Sequence, residues 1–142
     1  MDAIRLLRTS GSPSDYELRP GRFPDARTDE VVYLSEQVFG CIEPALVRHF
    51  HGFNPYGPSV IRVSIWRRII DDLEAMQRHV ERAASVADLR VAGVGFAIPG
   101  LDIEFERAFR ANADALGRLL SDLVEWLART LERQEAVSVL GP

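Results

Sequence analysis

The run Asp102–Arg133, DIEFERAFRANADALGRLLSDLVEWLARTLER, decides the fold. It contains no Pro, and its one Gly is Gly117. Apolar residues recur at Phe105, Phe109, Ala113, Leu116, Leu120, Leu123, Leu127 and Leu131. Spacings of three and four over several turns predict one amphipathic helix across the whole stretch. At 1.5 Å per residue it would be roughly 45 Å long. A rod of that length cannot bury its stripe alone, so other segments must cover it. The best partner is a second helix predicted from Ser64, as its cap, to about Ala84. Its stripe is Trp66, Ile69, Ile70, Leu73, Met76, Val80 and Ala83. The connection from Ser85 to Leu101 is long enough for the two helices to lie antiparallel.

Working outward, Ser35 is placed as a helix N-cap, with Leu34 and Phe39 at the flanking apolar positions. Gly40 and Pro44 predict an interruption after it. The expectation is one turn at Glu36–Phe39, then a helix from Pro44 to His51 ended by Gly52. Residues 1–30 read as an irregular segment wrapping the body, turn-rich from Thr9, with a brief strand near Tyr16–Arg19. Ile4–Leu7, Val31–Tyr33 and Ala136–Leu140 are β-prone. The last is expected to pair with the Val31 or Ile4 segment. The uncharged run Val91–Ile98 reads as a buried crossing or short strand. The fold class is therefore α+β and mainly helical, a single domain over residues 1–142. A long antiparallel helix pair and a shorter helix pack on a small sheet built from the N-terminal segments and the C-terminal strand.

All 17 basic residues are Arg, a bias expected of a GC-rich bacterial genome. The formal net charge of -4, with both signs interspersed, argues against a nucleic-acid partner. No apolar run approaches the roughly 18 residues of a spanning helix, and the first ten residues do not resemble a signal peptide. A cytoplasmic protein without a membrane partner is expected. Cys41 is the single cysteine, which rules out an intramolecular disulfide.

Three groups of side chains carry chemistry. His49 and His51, with Glu43, offer nitrogen and carboxylate donors for a metal, although residues two apart do not share a helix face. Gly93-x-Gly95 has Ile98 where the dinucleotide fingerprint needs a third Gly, so no nucleotide cofactor is implied. Its glycines suit a close backbone approach to a helix. Paired carboxylates such as Asp71/Asp72 and Asp122/Glu125 sit on polar helix faces with Arg nearby, as surface ion pairs do.

The turn Phe53–Pro58, followed by Arg62 and Arg67, offers rigid aromatics for recognition or simply a connection pinned into the core. Trp126, at the edge of the long stripe, is the residue through which a second copy would pair. The leading expectation is a non-catalytic binding module with a protein partner, a homodimer or both. One form of it is an immunity-type protein masking a toxin's active site. The alternatives are a small metal-dependent enzyme using His49 and His51, and a small-molecule binder with a cavity between the Gly93–Ile98 crossing and the helices. No cofactor is expected.

Overall fold

The computed structural model describes residues 1–26 and 29–142. The protein is α+β and mainly helical, with strands β1 (Tyr16–Pro20), β2 (Val32–Leu34), β3 (Pro58–Arg62) and β4 (Ala136–Leu140). Its helices are α1 (Glu36–His49), α2 (Val63–Arg82), α3 (Val86–Val91), α4 (Leu101–Arg107) and α5 (Phe109–Leu131). No helix among the described residues is long and apolar enough to cross a membrane.

The predicted rod over 102–133 is two helices, joined at Ala108 with φ -129° and ψ 47°. The apolar spacing explains the break. From Ala113 through Leu127 it alternates three and four, which holds one face of a helix. Working back through Phe109, Phe105 and Leu101 it is always four, and each step of four residues drifts about 40° around a helix. A straight helix would swing Leu101 and Phe105 away from the core. The bend at Ala108 keeps both buried. It also sets the Phe105 ring edge-on to Phe96 and Phe109, with centroids 5.3 and 5.9 Å away. Asn112 Nδ2 donates to the Phe105 carbonyl at 3.1 Å and secures the corner.

The four strands form one antiparallel sheet in the order β2-β1-β4-β3. The terminal strand thus pairs with β1 and with β3, a strand that periodicity had not revealed. The expected pairing with the Val31 or Ile4 segment is replaced. Those positions lie at the β2 edge, where Leu7 bridges Tyr33. β1, which pairs on both sides, is the strand that separates β2 from β4. Leu18, Val32, Val137, Val139 and Ile61 share the helix-facing side of the sheet and are buried. On the opposite side the fully buried Ser138 hydroxyl donates to Gly21 O at 2.8 Å and accepts from Phe23 N at 2.9 Å. Gly21 and Phe23, just after β1, therefore lie against that face.

α2 and α5 lie side by side and antiparallel. The first residue of α2, Val63, donates to Glu135 O just beyond α5, while Ala83 O at the other end accepts from Arg110 at the start of α5. Trp66 Nε1 donates to Val137 O at 3.1 Å and ties the pair to the central strands. Arg62, not Ser64, occupies the α2 N-cap position, and no side chain caps it. α2 begins directly at the end of β3, so the strand supplies the cap residue.

Ser35 caps α1 as expected, accepting from Val38 N. Neither Gly40 nor Pro44 ends the helix, which runs unbroken to His49. A proline inside a helix removes the N–H that would meet the carbonyl four residues earlier and crowds it. Pro44 leaves the Gly40 carbonyl without its helical donor, and the segment bearing Gly95 packs against this same turn, with Gly95 N donating to the neighbouring Cys41 O at 3.0 Å. A Cβ on Gly95 would meet the Gly40 carbonyl oxygen and stand 2.9 Å from Pro44 Cγ. The close approach predicted for these glycines is thus made at Gly95. The run Val91–Ile98 is not a strand, and Val91 at its start is 91 % exposed.

Candidate functional site

α1 ends with its last turn against α2. His49 Nε2 donates to Asp72 Oδ2 at 2.7 Å, and Arg48 donates to the same oxygen at 2.7 Å. One carboxylate therefore collects two donors and clamps the two helices. The expected ligand trio is not assembled. His51 lies beyond the helix end and is exposed, while Glu43 sits a turn and a half earlier on α1. Among the described residues, no three His, Cys, Asp or Glu side chains come together as metal ligands would. Residues two apart diverge at a helix end, and His49 is already satisfied by Asp72.

Burial raises the pKa of the half-buried Glu43 carboxyl. Cys41, sealed in the core, has its thiol pushed up to about 12 by burial alone. A nucleophilic thiolate needs the opposite environment, an electropositive and accessible one.

The aromatic turn divides into an anchor and a projection. Phe53 packs inward, its ring 5.8 Å from Phe39, which is in turn stacked on Tyr16 at 3.8 Å. Tyr56 points outward and is 83 % exposed. The backbone beneath it is held in place. Asn54 N donates to Ser59 Oγ at 2.9 Å, Tyr56 N to Asn54 Oδ1 at 3.0 Å, and Gly141 N to Gly57 O at 3.0 Å. A Cβ on Gly141 would collide with the Pro55 carbonyl, so the end of the chain lies directly on the turn.

Burial, then Glu43, Glu36 and Tyr56, in that order, raise the pKa of the Tyr16 hydroxyl. Arg62 and Arg67 are exposed but do not join this surface. Arg62 pairs across the sheet with Ala136, at the other end of β3 from Pro58, a strand length of about 13 Å away.

Trp126 is 4 % exposed, and its Nε1 donates to Glu30 O at 3.1 Å. The edge of the long stripe is therefore covered by the chain's own N-terminal segment. Beside it opens a cleft of about 250 Å³ between the end of α5, Arg8 and Glu30, walled by Arg129 and Arg133. Sequence reasoning missed this cleft. The spacing of Arg129 and Arg133 by four was its one visible trace, and Arg8 joins them only through tertiary structure. Gly95, in the Gly93–Ile98 crossing, is in direct contact with α1.

No protein-family model, curated protein or solved structure matches this chain.

Proposed function

We propose that the protein is a non-catalytic binding module that recognises a protein partner through the turn bearing Tyr56. The observation that carries this reading is an aromatic ring 83 % exposed on a backbone locked by hydrogen bonds from both flanks. A ring on a rigid support gives contact area with little entropy left to lose, which is why Tyr is enriched at binding hot spots. The net charge of -4 favours a basic partner surface. An immunity-type role, masking the basic active site of a toxin, is the specific form this takes.

The test is a photo-crosslinking residue placed at Tyr56 in the native host, with Arg78 on the exposed face of α2 as the control position. A discrete partner joined from position 56 but not from 78 is expected. Tyr56→Ala should then weaken that partner's binding by roughly thirtyfold, the loss of about 2 kcal/mol that marks a hot spot. Equal crosslinking from both positions, or unchanged affinity in Tyr56→Ala, would overturn the reading. A second copy of the chain is the alternative occupant, and the mass of the crosslinked product separates the two.

A further inference from the structure

We infer that the cleft at the end of α5 binds a small multivalent oxyanion, a phosphoryl or polycarboxylate compound. It is independent of the Tyr56 surface. Pro20 and Gln134 mark its end of the sheet, whereas Tyr56 adjoins Leu140 and Pro58 at the other.

Three arginines from two distant parts of the chain line the cleft. Arg129 comes from the last turn of α5, Arg133 from the turn just past the helix, and Arg8 from the N-terminal segment. Neither Arg8 nor Arg133 has an ion pair among the described residues, and the carboxylate nearest Arg129, Glu125, stands 3.9 Å away. Arginines near a helix C-terminus are ordinarily explained by the negative end of the helix dipole. That explanation does not reach Arg8, which belongs to no helix.

The floor is built to stay in place. Trp126 is buried under Glu30 with its indole N–H bonded to the Glu30 carbonyl, and Thr130 is buried beside it. Glu30 holds a left-handed backbone, φ 62°, that few non-glycine residues adopt. Its carboxylate is the one acidic group lining the cleft. Within the cleft three arginines stand against Glu30, which leaves a net attraction for an anion, while Arg8 and Arg129 also border the adjoining groove that holds Asp122 and Glu125. The planar donor forks of arginine match phosphoryl and carboxylate oxygens bidentately. The volume is below that of drug-sized pockets and suits a compact ligand.

The experiment titrates the ¹⁵N-labelled protein with pyrophosphate and, separately, with citrate at low ionic strength, following the indole N–H signals of Trp126 and Trp66. Saturable movement of the Trp126 signal, with Trp66 still, and a Kd below about 1 mM is expected for at least one probe. The tighter of the two assigns the phosphoryl or the carboxylate class. Arg8→Ala and Arg133→Ala should each weaken binding about tenfold, and Glu30→Gln should tighten it about threefold, since a repelling charge is removed. These side chains are exposed, so the fold is expected to survive their replacement. A still Trp126 signal, or unsaturated drift shared equally by Trp126 and Trp66, would overturn the inference. So would a Glu30→Gln variant that binds no tighter than the parent.

Discussion

Gly95 shows how much can rest on one missing methyl group. The residue lies where the chain crosses α1 at Pro44, with its N–H on the Cys41 carbonyl. Gly95→Ala should cost about 1–3 kcal/mol, the range for forcing atoms into a packed site, read as a lower midpoint in urea unfolding. Nearby, Cys41 should resist thiol reagents in the folded protein and react only on denaturation, because burial holds its pKa near 12.

Glu43 supplies a pH signature. Its folded pKa is raised above the unfolded value, so the folded state binds more protons as the group titrates. Its contribution to stability is full at low pH and falls as pH rises from the ordinary carboxylate range through the raised value. Glu43→Gln should flatten that part of the stability–pH curve, as measured by urea unfolding over a pH series that starts in the ordinary carboxylate range and runs upward. Asp102 behaves oppositely. Its hydrogen bond from Arg90 lowers its pKa, so its contribution is present above the ordinary Asp range and is lost as pH falls through the lowered value.

Among the elements, α1 illustrates a prediction that was half correct for a physical reason. Its beginning is local chemistry, the Ser35 hydroxyl accepting from Val38 N, and that was readable. Ser35→Ala should cost about 1 kcal/mol, checked by thermal or urea unfolding. Its continuation past Pro44 was not readable, because it goes with the packing of the distant Gly95 segment on that turn, where Gly95 N meets the Cys41 carbonyl. The break at Ala108 is a different case. The change from alternating three-and-four spacing to successive fours was already visible in the residues, and a straight helix cannot hold such a stripe on one face. β3 was hidden because Pro58–Arg62 is short and alternates only weakly, and its pairing with β4 makes it a strand.

Across the whole molecule, the α2/α5 pair carries the core to which every other element is fitted. Leu116, wholly buried in that pair, is expected to lose about 2–5 kcal/mol on replacement by Ala. A domain of this size is stable by only about 5–15 kcal/mol, so the loss should appear as a single large drop in Tm rather than as local fraying. Trp66, Trp126, Ser138 and Asp72 then act as rivets between layers, each bonding to a group far away in sequence.

The residues by themselves determined the α+β class, the two long amphipathic helices, the Ser35 cap and the strand at Ala136–Leu140. These depend on periodicity and on bonds between near neighbours, which a linear chain displays directly. Tertiary structure alone decided the strand order, the survival of α1 across Pro44, the outward aim of Tyr56 and the meeting of Arg8 with Arg129 and Arg133. Each of those depends on what arrives from a distant segment to pair with a strand edge, pack on the turn that holds Pro44, cover a ring or leave a charge unpaired.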